Sequence, residues 1–260
     1  MEKPLVSIIT PSFNSAKFIA ETIQSVQNQT YQHWELIIVD DCSSDETVSI
    51  IEESANNDSR IQLFQLQKNS GTGIARSTAL AKATGKFIAF LDADDLWKPE
   101  KLEKQLDFMK GNNLPFTFSF YECINEAGKP LNRRIEAPLH LSYQQLFFCN
   151  YIGNLTGIYD ANYFGKIAVP SIRKRQDWMM WLNILKKIQF AQPVPESLAY
   201  YRIRENSISA SKLDLVKHNF SVYRTHHRLN LITATLCMIG FLFTQLILKP
   251  RYSKTIKASI

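Results

Sequence analysis

Along the first 110 residues, short apolar runs alternate with amphipathic stretches, the pattern of a parallel α/β sheet with helical crossovers. Val6-Ser7-Ile8-Ile9 predicts a first strand ended by Pro11. Phe18, Ile19, Ile23 and Val26 then recur at helical spacing in a helix from about Ser15. Leu36-Ile37-Ile38-Val39 is apolar without alternation, as a strand covered on both faces must be. Ser43-Ser44-Asp45-Glu46 reads as a capping box, with Ser43 as N-cap, opening a helix that turns Val48, Ile51 and Ala55 inward. A third strand is predicted over Ile61–Leu66, a helix over Gly73–Ala83 closed by Gly85, and a fourth strand over Phe87–Leu91. Pro99 suits the first turn of a further helix that buries Leu102, Leu106 and Met109.

Past residue 111 the period weakens. Phe116–Tyr121 reads as a strand, Asn125-Glu126-Ala127-Gly128 as a turn, and Ser142–Cys149 and Gln176–Lys187 as helices. Leu231–Leu248 holds no charged residue across 18 positions. As a helix it would reach about 27 Å, the short limit for crossing a bilayer. Arg224, His226, His227 and Arg228 precede it, and Lys249, Arg251, Lys254 and Lys257 follow, so charge gives no orientation. An interfacial or re-entrant helix is favoured over a true span or a tail packed on the protein, and all three stay open. These patterns divide the chain into 1–110, 111–215 and a basic, apolar helical tail, 216–260.

Charge sharpens that division. Residues 1–110 hold 11 Lys/Arg against 16 Asp/Glu, a net −5, and residues 111–260 hold 19 against 8, a net +11. The basic half points to a polyanionic partner or an anionic membrane surface, or else to a solvated lysine-rich face. No nucleic-acid-binding module is recognisable. Cys42, Cys123, Cys149 and Cys237 form no C-x-x-C pair, which argues against a zinc site or a disulfide framework. Met1-Glu2-Lys3-Pro4 runs straight into a strand, so a cleaved signal peptide is not expected and the chain is placed in the cytoplasm.

Two acidic clusters close strands: Asp40-Asp41 the second and Asp92-Ala93-Asp94-Asp95 the fourth. Ligands of open α/β sheets bind outside the carboxyl ends of strands, so both clusters are expected to line one crevice. Carboxylates gathered there repel one another unless a cation or donor groups compensate. Asp92 and Asp94 share a face of an extended segment, which suits Mg²⁺ or Mn²⁺ bridging a diphosphate. The alternative is that Asp94 or Asp95 only caps the helix near Pro99.

Val6-Ser7-Ile8-Ile9-Thr10-Pro11-Ser12-Phe13-Asn14, Val39-Asp40-Asp41-Cys42-Ser43-Ser44-Asp45 and Leu91-Asp92-Ala93-Asp94-Asp95, in that order and spacing, resemble glycosyltransferase family 2. Lys68-Asn69-Ser70-Gly71-Thr72-Gly73-Ile74-Ala75-Arg76 is similar to the family's N-x-G-x-x-x-A-R-N block, with Ser77 where Asn is usual. The resemblance covers about residues 5–205. It implies a GT-A fold, a Rossmann-like and mostly parallel sheet flanked by helices. Residues 1–110 would bind a nucleotide-diphosphate sugar and 111–215 the acceptor. It further implies that Pro11 and Phe13 shape the nucleotide pocket, that Asp41 binds the base and Asp92 the ribose or sugar, and that Asp94 binds the metal. Asn69 and Arg76 would help close the donor site, although Arg76 could equally pair with the strand-end acids.

Displacement at the sugar needs a base opposite the leaving diphosphate. Asp177, in Arg173-Lys174-Arg175-Gln176-Asp177-Trp178-Met179-Met180-Trp181, is the only acid between Asp160 and Glu196. Similar family members carry Glu-Asp before such an aromatic helix, the Asp serving as base with inversion; here Gln176 replaces the Glu. The competing role for Asp177 is a helix N-terminal acid paired with Arg175. Trp178 and Trp181 share a helical face, suited to core packing or to stacking on an acceptor sugar. Tyr201-Arg202-Ile203-Arg204-Glu205-Asn206-Ser207-Ile208-Ser209 resembles the family's Y-R-x-H-x-x-S-x-S block, with Arg204 for His. Arg202 and Arg204, as alternate residues, could present two guanidinia to one diphosphate, or could simply be surface cations. The expected activity is inverting sugar transfer in cell-surface polysaccharide synthesis, at the inner face of the membrane, with a polyprenyl-diphosphate-linked saccharide as possible acceptor. Two rivals remain: a non-catalytic membrane-surface scaffold, and a sugar nucleotidyltransferase. Pro11-Ser12-Phe13-Asn14 counts against the second, which places a Gly-rich basic loop after the first strand.

Overall fold

The structure is a computed structural model that describes residues 3–170, 172, 174–204 and 212–256. Four parallel strands form its first half: β1 (Val6–Ser12), β2 (Trp34–Asp40), β3 (Ile61–Gln65) and β4 (Phe87–Phe90), ordered β3-β2-β1-β4. Every residue of β1, β2 and β4 is buried, as the unalternating apolar runs require. Ile9, Ile37, Val39, Ile88 and Phe90 pack on one side of the sheet against helix α3 (Thr72–Lys82). Ile8, Leu36 and Ile38 pack on the other, against α1 (Ile19–Gln27), α2 (Thr47–Asn57) and α4 (Lys101–Asn112).

Pro11 lies within β1 rather than ending it. The carbonyl of Ile9 accepts from Leu91 on the β4 side, and that of Ser12 accepts from Asp41 on the β2 side. Pro11 therefore faces the β4 side beyond the last ladder rung, Ile9↔Phe90, where its missing N–H costs nothing. The capping box expected at Ser43 does not form. Ser43 is drawn back to Asp40 through its N–H (2.8 Å) and its hydroxyl (2.6 Å), and Glu46 stands at the N-cap of α2. Gly85 does not close α3, which ends at Lys82; a Cβ there would lie 2.7 Å from the Ser7 nitrogen, so close contact with β1 demands glycine.

The second half turns the sheet mixed. Beside β4 comes antiparallel β9 (Ile158–Asp160), then β6 (Phe116–Ile124), β7 (Pro130–Ile135) and β11 (Ser253–Thr255). A 13-residue strand, β10 (Phe190–Arg202), runs parallel to β6 and also pairs with β5 (Leu96–Trp97) and β8 (Leu141–Ser142). A true capping box opens α5 (Tyr143–Phe148), between Ser142 and Gln145. After the short α6 (Ala161–Phe164) comes α7 (Gln176–Leu185), buried from Trp178 to Leu182. Then α8 (Lys212–Ser221) leads to α9 (Leu231–Phe243), whose helical path continues to Tyr252.

Candidate active site

The carboxyl ends of β1, β2 and β4 and the last residues of β10 meet at one edge of the sheet. At the end of β2, both Asp41 oxygens accept backbone N–H groups, from Ser70 and Gly71, each at 2.7 Å. Gly71 has φ 90°, a left-handed conformation that glycine adopts without strain, and it opens α3. Asp40 turns inward to Ser12 (2.9 Å) and Ser43. Pro11 is buried behind this point, Phe13 is 45% exposed at the rim, and Asn69 is exposed on the loop before α3.

Asp92 is the hub. It accepts from Arg76 Nη2 at 2.6 Å and from Asn154 Nδ2 at 3.1 Å on both oxygens. Arg76 Nη1 donates to Gln176 Oε1 at 2.5 Å, so one buried guanidinium ties the end of β4 to the start of α7. Arg76 Nε and Asn154 Oδ1 are buried beside Asp92 without a hydrogen-bond partner in the protein. Asp94 pairs with Arg204 Nε at 3.0 Å. Burial raises the Asp94 carboxyl above its usual range and the Asp92 charge adds to this, against the pull of Arg204 and Arg202. Asp95 is pushed further, first by burial and then by Asp94 and Asp92, and it accepts the backbone N–H of Arg202 at 2.9 Å.

The expected convergence of both acidic clusters is thus narrower in the molecule. Asp40 and Asp95 belong to the scaffold, because each is buried and hydrogen-bonded to the chain. The expectation that Arg202 faces an anion is also corrected. Its side chain has no exposed surface, and its donors go to the Asp94 carbonyl, the Glu126 carbonyl and Glu21 Oε2 (2.8, 2.8 and 2.6 Å). Arg204, past the strand end, remains partly exposed beside Asp94; both guanidinia lie over the Phe18 ring, at 5.1 and 5.5 Å. Glu205–Ser209, from the same sequence block, lie outside the described residues, as do Arg173 and Lys257.

Asp177 stands in the first turn of α7, one residue from the Arg76–Gln176 contact. Its Oδ2 accepts from Asn150 Nδ2 at 2.7 Å. Arg175 does not pair with it, donating instead to Asn219 at 2.6 Å. Trp178 and Trp181 are fully buried, which fits them for packing and not for a sugar; Trp178 Nε1 donates to the Leu146 carbonyl at 2.7 Å. A Cβ on Gly157 would come within 2.6 Å of the Trp181 ring. Sequence reasoning missed Asn150, in irregular chain, and Asn154, which opens the single 3₁₀ turn Asn154–Thr156; neither carries a periodic signature.

Strand-end acids on this mixed sheet, with a basic partner on α3, the third crossover helix, are the arrangement of the GT-A class of glycosyltransferases, as the comparisons bear out. Residues 7–166 match the family model described as Glycosyl transferase family 2. The chain is 44% identical over 239 residues to the putative teichuronic acid biosynthesis glycosyltransferase TuaG of Bacillus subtilis (strain 168), covering 92% of this chain and 95% of that one. It is 39% identical to the Escherichia coli UDP-Glc:alpha-D-GlcNAc-diphosphoundecaprenol beta-1,3-glucosyltransferase WfgD, over 85% of this chain and 86% of the other. The fold matches S. aureus TarS 1–349 in complex with UDP, with TM-score 0.69 at 22% identity over 92% and 71% of the two chains. It also matches the mannosyltransferase PcManGT of Pyrobaculum calidifontis in complex with GDP-Man and Mn²⁺, with TM-score 0.69 at 17% identity over 95% and 71%. The chain belongs to glycosyl transferase family 2 and is a glycosyltransferase.

Proposed function

We propose that this enzyme transfers a sugar, with inversion, from a nucleotide-diphosphate donor to a hydroxyl of a polyprenyl-diphosphate-linked saccharide, at the cytoplasmic face of the membrane. The observation that supports the reading is the Asp92–Arg76–Gln176 bridge, which ties the end of β4 to the start of α7, the helix whose first turn carries the half-buried Asp177. The relatives named for teichuronic acid synthesis and for a diphosphoundecaprenol acceptor support the substrate class. Neither rival, scaffold or nucleotidyltransferase, finds support in them.

Pro11 and Phe13 would border the nucleotide, and Asp41, held by two backbone N–H groups, would meet its base. Asn69 and Arg76 would close on the donor, Asp92 would orient its sugar or ribose, and Arg204 would face the diphosphate. The donor set fits a divalent metal: oxygen ligands only, at a point where Asp92 and burial already strain the ionised form of Asp94. Among the described residues no three ligating side chains converge. Mg²⁺ or Mn²⁺ held by Asp94 with Asp92 would therefore complete its shell with diphosphate oxygens, and its charge would ease departure of the diphosphate. Asp177 Oδ2 is held by Asn150, which leaves Oδ1 to take the proton of the acceptor hydroxyl. One displacement at the anomeric carbon gives inversion.

The test is transfer from a panel of nucleotide sugars to a polyprenyl-diphosphate saccharide, with Mn²⁺ and with chelator. Metal-dependent transfer that Asp177→Asn abolishes, with donor binding retained, supports the reading. Near-normal turnover of that variant would falsify the base assignment, and equal donor affinity with chelator would remove the metal.

A further inference from the structure

We infer that the outer face of α9 is a bilayer-contact surface, on which the enzyme lies in the headgroup region of an anionic membrane without spanning it. This deepens the membrane-facing part of the proposed function and assigns it to particular residues. From Leu231 to Tyr252 the helix runs 22 residues, enough by length and composition to cross a membrane. Its two faces differ. Ala234, Met238, Phe241 and Thr244 are buried against the protein. Ile232, Leu236, Ile239, Phe243 and Leu246, at helical spacing on the other side, are 58–75% exposed. A soluble monomer rarely leaves so continuous an apolar stripe to water.

The packed face argues against a span. Phe241 lies 5.6 Å from Trp178, and Gly240 is so close to the Phe148 ring that a Cβ would sit 2.8 Å away. Lys249 Nζ donates to the Asn150 carbonyl at 2.9 Å, and β11 then pairs with β7. A helix packed on the domain from Ala234 to Lys249, with β11 paired to β7 directly after it, is not placed to thread a bilayer. It can enter one sideways, as interfacial helices do.

Charge selects lipid over a second copy of the chain. No Asp or Glu occurs after Asp214, whereas Arg224, Arg228, Lys249, Arg251 and Lys254 flank the stripe. Two such faces would set cation against cation, while anionic headgroups complement both ends. The same helix touches α7 through Trp178 and holds Asn150, the partner of Asp177. Docking here would bring the proposed base beside the leaflet that carries a lipid-linked acceptor.

Flotation of the whole protein with phosphatidylcholine vesicles, with and without phosphatidylglycerol, tests the surface. The wild type should float with the anionic vesicles and lose binding as salt rises. Leu236→Glu/Ile239→Glu should partition at least tenfold less, with an unchanged melting curve; the milder Ile232→Gln/Leu236→Gln pair covers the case of a folding defect. Wild-type protein that stays in solution overturns membrane docking itself. Variants that bind as the wild type does overturn only the choice of this face. Resistance to alkaline carbonate extraction would show a span, and a dimer lost in the Glu variant would show a second copy; either overturns the inference.

Discussion

Arg76 reaches Asp92 at 2.6 Å from α3, with its side chain 6% exposed and that of Asp92 34% exposed. The pair is unequal: the cation is sealed in the protein while the acid faces the cleft. Arg76 is thereby held in its buried place by two acceptors, Asp92 and Gln176.

Removing the cation should therefore cost both stability and donor binding. Arg76→Ala leaves Asp92 beside Asp94 with no counter-charge from α3 and leaves Gln176 Oε1 without its donor. Breaking a buried pair costs about 3–5 kcal/mol; with Asp92 partly solvated, about 2 kcal/mol is expected here. Urea denaturation measures it. A loss under about 0.5 kcal/mol would mean that the bridge does not position α7.

Asn150 should act as a positioning residue for Asp177. Its amide fixes Oδ2 at 2.7 Å, and its own carbonyl is held by Lys249. Asn150→Ala should lower kcat with the donor KM little changed, whereas Asp177→Asn should cost about 10²–10⁴-fold. Asn150→Asp places a second acid against the proposed base, so its pH–rate profile should shift to higher pH. A profile identical to the wild type would make Asn150 merely structural.

Metal-dependent donor binding should fade at a higher pH than an ordinary aspartate would allow. As the proposed metal ligand Asp94 must be ionised, and burial together with Asp92 raises its carboxyl above its ordinary value of 3.8. As pH falls through that raised pKa, protons displace the metal while a normal carboxylate would still be charged. Calorimetric titration of Mn²⁺ with nucleotide sugar across pH 4–7 reads this directly. Asp92→Asn removes one source of the repulsion together with one proposed ligand, so its affinity should be weaker overall while its decline with acid begins at a lower pH. Equal pH dependence in both proteins would sink the assignment of Asp94.

The donor half was legible because its elements are set locally. Fully buried strands read as unbroken apolar runs, and strand-end acids stand at fixed offsets from them. The rest depends on distant partners. β10 carries Pro193 and Pro195, and its register against β6 shifts between Val194 and Ser197, so no period of two survives to be read. Arg202 looks like a surface cation from its neighbours. Only Glu21, the Asp94 carbonyl and the Glu126 carbonyl, brought in by folding, make it buried. The Ser43 capping box failed because Asp40, three residues earlier, competes for the same hydroxyl and N–H.

Lys101 offers a test of the core independent of catalysis. It is fully buried, its ammonium donates to Gln105 Oε1 at 2.6 Å and lies 4.0 Å over the Trp97 ring, and among the described residues no carboxylate pairs with it. Burial lowers its pKa from 10.5 to about 7. Between those values the unfolded chain binds a proton that the native protein lacks, so stability rises with pH there, by at most about 1.4 kcal/mol per unit. Below about pH 7 both states are protonated and this contribution stays flat, at its least favourable. Lys101→Met keeps the hydrocarbon stem, and Gln105 Nε2 still donates to the Thr156 carbonyl at 2.9 Å. The difference in urea stability, wild type minus variant, should therefore climb from pH 7 to pH 9. A difference constant across that range would show that Lys101 keeps its proton in the folded protein, held by Trp97 and Gln105 against the cost of burial.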